Sequence, residues 1–461
     1  MSKLQFVLIA MVAGLASVSG YVSAESVGQP IAPAVDHHQH LLSPHAAALL
    51  NSPRQSVDLP PAVVQLLRQH EEAWNDPARL AAIYSADAVV LDVDDEEWLR
   101  GREEAARFMG TRFGRPYTIT PVAYTGDERR GHLAAYYSRG EGAERRHIGH
   151  ARIDLVREDG QWRIALEHPT FPGPAAQEPV DGARLVAMLD AAQIKRAVVL
   201  SVGYWFDSPT RPLFRSYDAL RAENAWTAEQ AARFPDRLIA YCSLNPVSDF
   251  TKRALQDCTS DPRFKGLKFH FGNSRVDLLN VEHVQRVREV FAAANSAKLP
   301  IVVHARTGGG GEFGTAHAHV LLEELVAAAP DVPVTIAHLW GGAAFAPEAL
   351  AVFAEDVAAR RPATRNLYFD VADAGLVATT PELGKIMADR IRQIGLERIF
   401  YGSDAAFGNH PDPAGSWAAF RKNIPLSPEE FEKIANNVAP WLRATNAENR
   451  AVLPPGSPTV P

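Results

Sequence analysis

The chain has 461 residues, 46% of them hydrophobic and 22% charged, a composition that supports a buried core and excludes disordered, collagen-like and coiled-coil proteins. Lys and Arg number 47 against 54 Asp and Glu, a formal charge of −7. No basic excess argues for nucleic acid, so a small molecule is the expected partner. The length exceeds what one barrel or doubly wound sheet usually takes.

Lys3 precedes an apolar run over 4–15, and small residues then lead to Val22-Ser23-Ala24. A charged start, a short greasy centre and a small-residue cleavage site are the layout of a secretory signal. A membrane anchor is the alternative, but the run is shorter than the roughly 20 residues of a span. Residues 1–24 are therefore expected to be removed on export, leaving a periplasmic or secreted protein without membrane attachment, with a homo-oligomer as one expected state.

Residues 34–41, Ala-Val-Asp-His-His-Gln-His-Leu, read as a strand. A different texture follows: a helical run over 61–74, a Tyr-Ser-Ala-Asp-Ala turn at 84–88, a helix carrying Arg-Gly-Arg-Glu at 100–103, strand-like runs at 117–124, 132–139 and 146–157, and a last strand at 160–166. Prolines at 172, 174 and 179 mark a linker. Apolar runs rich in Val, Ile and Phe then recur at 195–203, 238–246, 264–272, 299–307, 332–340, 365–373 and 398–406, starting 43, 26, 35, 33, 33 and 33 residues apart. Each interval fits a strand, a helix such as 281–295 and two connections. Seven such strands plus 34–41 make eight, the number of a (β/α)8 TIM barrel. The expected division is a signal at 1–24, barrel strand one at 31–55, an inserted domain at 56–172, the rest of the barrel at 180–445 and a Pro-rich tail at 450–461. Setting aside signal, insert and tail leaves roughly 300 residues, enough for one barrel.

The two cysteines, Cys242 and Cys258, are too few for a Cys-rich zinc site. Cys242 sits in an apolar strand, where a buried unpaired thiol is the favoured reading and a bridge to Cys258 the alternative. A metal would have to be held by His and carboxylates. His38 and His40, at i and i+2 of a strand, point to one face and can offer two imidazoles to one ion. A second pair, His317 and His319, reads as a surface helix start. Polar residues also break the apolar runs at His304, His338 and Asp404, near the strand ends from which barrel active sites are built.

Asp36-His-His-Gln-His40, His304, His338 and Gly402-Ser403-Asp404 resemble the DxHxH opening and the strand-five, -six and -eight positions of the amidohydrolase superfamily. The likeness covers 31–55 and 180–445. It is closer to the amidohydrolase-related branch that includes aminocarboxymuconate-semialdehyde decarboxylase, through Met188-Leu-Asp-Ala-Ala-Gln-Ile, Phe264-Lys-Gly-Leu-Lys268, His338-Leu-Trp-Gly-Gly342 and Ile399-Phe-Tyr-Gly-Ser-Asp404. The insert resembles the nuclear-transport-factor-2-like (NTF2-like), or SnoaL-like, α+β cone. The resemblance implies one divalent ion, zinc by preference, on His38, His40, His304 and Asp404, with His338 and Asp404 as the catalytic groups. Lys268, with His270 on the same strand face, matches the strand-four lysine that bridges two metals in some members; an ion pair or a contact to a substrate anion is the favoured role here. Tyr204, Trp205, Arg306 and Trp340 are expected at the barrel mouth against substrate, and Gly308 to Gly311 as a mobile lid or turn. The expected activity is metal-dependent hydrolysis of an ester, amide, lactone or related bond. Nonoxidative decarboxylation of an aromatic or enolic acid is the alternative, and a binding protein with a degenerate barrel a third.

Overall fold

The computed structural model describes residues 31–51, 57–92, 97–112, 116–139, 146–170, 177–209, 213, 215–305, 313–342, 345–406 and 412–443. The expected signal, the Pro-rich tail, Arg306 and the Gly-rich run 308–311 lie outside the described residues.

Strand β1 (Val35–Gln39) is followed by β2 (Tyr84–Asp92), β3 (Glu97–Arg100), β4 (Thr118–Gly126), β5 (Arg130–Arg139), β6 (Arg146–Glu158) and β7 (Gln161–Thr170). Then come β8 (Arg196–Leu200), β9 (Leu238–Ser243), β10 (Leu267–His270), β11 (Ile301–His304), β12 (Val334–Ile336), β13 (Leu367–Asp370) and β14 (Ile399–Phe400). β1 and β8 to β14 form one sheet of eight in chain order, every neighbouring pair parallel. Its edges meet: the His37 amide donates to the Tyr401 carbonyl at 2.8 Å and the Asp404 amide to the His38 carbonyl at 2.9 Å. The sheet is a TIM barrel, with an α+β cone inserted after its first strand.

The barrel strands are apolar because both faces are covered. Val199, Val303, Ile336 and Phe369 belong to the core shared with the helices, while Val198, Leu200, Tyr241, Val302 and Phe400 form a second cluster with Leu442. The Trp441 indole donates to the Tyr241 hydroxyl at 3.0 Å within that cluster. Helix Val281–Ser296 buries Val287, Val290, Phe291 and Ala294, at positions i, i+3, i+4 and i+7, as its periodicity requires. The strands are shorter than the apolar runs. β12 is three residues of the nine in 332–340, because His338, Leu339 and Trp340 take positive φ and leave the ladder.

In the cone the strand order is β3-β2-β7-β6-β5-β4. The turn expected at 84–88 is instead the start of β2, which pairs with β7 through an irregular register between Tyr84 and Val89. Glu167 lies in the cone interior at zero exposure. Its carboxylate accepts from the hydroxyls of Tyr84 and Tyr137 and lies 3.1 Å from His70 Nε2; the Tyr117 hydroxyl is 2.6 Å from His70 Nδ1. Burial alone would raise the Glu167 pKa, but His70 and the two hydroxyls outweigh it and hold the group below its usual value. At the junction the Asn51 side chain bonds both the amide and the carbonyl of Gln177.

The favoured thiol reading is corrected: Cys242 in β9 is bonded to Cys258 in helix Thr251–Ser260, their Cα atoms 5.7 Å apart. The βα crossover folds the helix back onto its own strand, a proximity that a separation of 16 residues does not reveal.

Ser43, just past β1, caps its helix by accepting from the Ala46 amide and donates to Glu223 Oε2 at 2.5 Å. Glu223 is 2% exposed, and burial pushes its pKa up from 4.5 to about 7. The native state therefore holds this proton more tightly than the unfolded chain, so the contribution to stability is full below about pH 4.5 and is lost as pH rises through about 7. Relative to Glu223→Gln, the wild type should lose up to about 3 kcal/mol of unfolding free energy between pH 5 and pH 8. Denaturant titrations of both proteins at the two pH values measure this; a pH-independent difference contradicts it.

Candidate functional site

The site is assembled at the seam where β1 meets β14. Asp36 accepts from the Ser403 amide at 3.0 Å, the Ser403 hydroxyl at 2.5 Å, the His38 amide at 3.1 Å and the Gln39 side chain at 3.2 Å. Burial, only partly offset by these donors, raises its pKa to about 7. The carboxyl thus binds the strand that carries His38 and His40 to the loop that carries Asp404. Gly402 is required between them, since a Cβ there would fall 2.6 Å from the His38 Cβ.

His38, His40 and Asp404 are 1%, 2% and 8% exposed, and one ligand atom from each lies within 4.8 Å of the others. His40 Nδ1 donates to the Leu200 carbonyl at 2.6 Å, which directs Nε2 to Asp404 Oδ1 at 3.4 Å. His38 Nδ1 donates to Asp370 Oδ2 at 2.8 Å, and its Nε2 accepts from Lys268 Nζ at 3.1 Å. His338 Nδ1 lies 3.1 Å from the Ala372 carbonyl and donates to it, and the buried Nε2 has no hydrogen-bond partner among the described residues. His338, Asp373 and Asp404 form another close group of ligand atoms.

Burial lowers the pKa of His38 and His40, with the Lys268 charge next in effect. Burial also lowers His338, against the pull of Asp370 and Asp373. Neutral imidazoles whose ligand atoms lie within 4.8 Å of one carboxylate are the donor set of a divalent ion, so these residues fit a metal. Lys268, at zero exposure, is brought down to about 8 by burial, which the charges of Asp370 and Asp404 oppose.

Not every expected residue joins this group. Among the described residues, no close trio of ligand atoms includes His304. Its register partner across the sheet is His270, on which it stacks at 4.0 Å, and its ring is 4.6 Å from that of His338. His270 accepts from the Asn273 amide and so caps helix Phe271–Ser274. Tyr204 is buried with its ring 5.1 Å from His270, and burial together with the Asp404 charge keeps its phenol protonated. Trp205 packs against the main core. Trp340 is corrected from a substrate contact to a core residue: it is 1% exposed, packs 4.9 Å from Phe353 and donates its indole N–H to the Phe313 carbonyl at 2.7 Å. The left-handed turn reverses the chain after β12 and sends this side chain inward. In the second pair, His317 is buried within helix Thr315–Val320 and only His319 is on the surface.

Asp370 is the group that sequence reasoning missed. It ends β13 at zero exposure and touches both His38 and the backbone of His338. Its signal was available, a charged residue closing the apolar run Leu367-Tyr-Phe, the same break that marks His304.

An amidohydrolase family model matches residues 214–439. Comparison with curated proteins returned no match. Among solved structures, the barrel is similar to 2,6-dihydroxybenzoate decarboxylase (16% identity, 54% of this chain and 84% of that one, TM-score 0.38). It is also similar to a 5-carboxyvanillate decarboxylase from Sphingomonas paucimobilis (14%, 54% and 79%, TM-score 0.39). A further 23% of the chain is similar to an NTF-2-like protein of unknown function from Shewanella oneidensis (16% identity, 95% of that chain, TM-score 0.20).

Chelator-stripped protein should take up a divalent ion, and His38→Ala or His40→Ala should weaken that uptake by more than the roughly 10–100-fold typical of outer partners. Competition against a chromophoric chelator gives the constants; unchanged affinity in both variants would remove these residues from the ligand set.

Proposed function

We propose that this chain is an exported, divalent-metal-dependent hydrolase acting on an ester, amide, lactone or related bond of a small molecule, with zinc as the ion. The observation that carries the reading is the grouping of His338 with Asp404, its Nε2 without a hydrogen-bond partner among the described residues, beside the His38 and His40 imidazoles. A soft-to-borderline ion suits imidazole and carboxylate ligands, and zinc when bound polarises a carbonyl and brings the ionisation of water near neutral pH.

The chain's own residues supply the rest. His338 holds its Nδ1 proton on the Ala372 carbonyl, so Nε2 presents a lone pair that orients the attacking water. Asp404 takes the water proton as the oxygen–carbon bond forms and returns it to the leaving oxygen or nitrogen as the scissile bond breaks. Protonated Tyr204 and the Lys268 ammonium are donors for a substrate oxygen or carboxylate. Export is supported by the pattern of residues 1–24 and by the Cys242–Cys258 bridge, which suits an oxidising compartment.

Asp404→Asn should lower kcat on the best substrate of an ester, lactone and amide panel by about 10²–10⁴-fold, with kcat expressed per bound ion. Parallel assays of hydroxyaromatic acids discriminate the other chemistry: carbon dioxide release without turnover of any panel member would replace hydrolysis by decarboxylation.

A further inference from the structure

We infer that Asp370 is a positioning residue that sets both halves of the site at once: it fixes the tautomer of His38 and the backbone that presents His338. The inference deepens the reading above, since it takes His38 Nε2 as the atom that faces the ion.

One carboxylate meets three donors. Oδ2 lies 2.8 Å from His38 Nδ1, while Oδ1 accepts from the His338 amide at 2.9 Å and the Ala372 amide at 3.2 Å. A carboxylate only accepts, so His38 must carry its proton on Nδ1, and Nε2 is left with the lone pair. A second contact agrees independently: the Lys268 ammonium, which only donates, sits 3.1 Å from that Nε2.

The other oxygen acts on the chain. His338, Leu339 and Trp340 are three consecutive non-glycine residues at φ 58°, 51° and 69°, a run that L residues avoid and that persists only where surrounding bonds over-determine it. The His338 amide bonded to Asp370 opens that run, and the Ala372 amide beside it belongs to the residue whose carbonyl takes His338 Nδ1–H at 3.1 Å. β13 thus holds His338 by its backbone and, through Ala372, by its ring. The Asp370 carboxylate lies within 4.8 Å of ligand atoms of both His38 and His338, and with both of its oxygens already bonded to their ring and backbone donors it acts through those two residues.

Asp370→Asn separates these effects. The two backbone amides require an acceptor, so the amide oxygen should stay on their side and the NH2 should turn toward His38. That pairing forces the proton of His38 from Nδ1 to Nε2 and removes the lone pair directed at the ion. In chelator-stripped full-length protein the thermal midpoint of the Asn variant should fall less than that of Asp370→Ala, because the backbone acceptor is kept while the Lys268 contact to His38 Nε2 is lost, and zinc affinity, read by chelator competition, falls about 10–100-fold. Asp370→Ala, which lacks the backbone acceptor too, should lower both midpoint and affinity. Unchanged zinc affinity in the Asn variant, or a midpoint that drops as far as in the Ala variant, would overturn the inference. Histidine-selective 15N spectra of the metal-free protein provide a readout independent of the ion. A wild-type His38 protonated on Nδ1 and an Asn-variant His38 protonated on Nε2 support the inference; a wild-type His38 protonated on Nε2 overturns it. Wild type that binds no zinc but shows the tautomer exchange would sink the metal reading alone.

Discussion

Everything in the site depends on the closure of the barrel between its first and last strands. Asp36 is buried and accepts four hydrogen bonds, two of them from Ser403, more than 360 residues away along the chain. The cost of burying a carboxyl is offset only if those donors are in place, so the pairing of β1 with the loop after β14 is specified sharply. Gly402 lets the two backbones approach to a distance at which any side chain would collide with His38. From that one contact follow the position of Asp404 against His40 and the orientation of the imidazoles on β1.

The same logic repeats with less expenditure at β12 and β13. Strands end early, and the residues that leave the ladder take left-handed backbone: His338, Asp373 and Asp404 all have positive φ. Such conformations are uncommon for non-glycine residues and cluster at functional sites, where neighbouring bonds hold them. Here the holding group is Asp370, whose carboxylate serves a ring nitrogen and two amides together. The chemical outcome is a set of buried imidazoles kept neutral by their surroundings and turned by carbonyl or carboxylate acceptors. Neutral, oriented imidazole is what a metal ligand or a proton acceptor needs to be.

The cone inserted after β1 has its own core and its own buried polar network, in which one carboxylate, one imidazole and three tyrosines bond one another. The network is internally satisfied, with the Glu167 charge matched by donors on β2, β5 and the first cone helix. In the barrel site the buried His338 Nε2 has no hydrogen-bond partner among the described residues.

The repeat of apolar runs at near-constant spacing was enough to read eight strands and a barrel, because burial on both faces makes a parallel strand a continuous apolar run. His38, His40, His338 and Asp404 were legible for the converse reason: a polar side chain in such a run, or an i, i+2 pair, needs a partner to justify its burial. Trp340 was expected at the barrel mouth, but the left-handed backbone after Ile336 packs it against Phe353 in the core. The Cys242–Cys258 bridge was disfavoured because linear spacing gives no Cα distance. Asp370 interrupts an apolar strand as His304 does, yet its importance lies in its partners, His38 and the His338 amide, which sit on two other strands of the barrel. Sequence determines which residues cannot be buried alone; only the closed barrel decides with whom each is buried, because hydrogen bonds join atoms that are close in space and the chain order of β1, β12, β13 and β14 does not fix their tautomers, turns or distances.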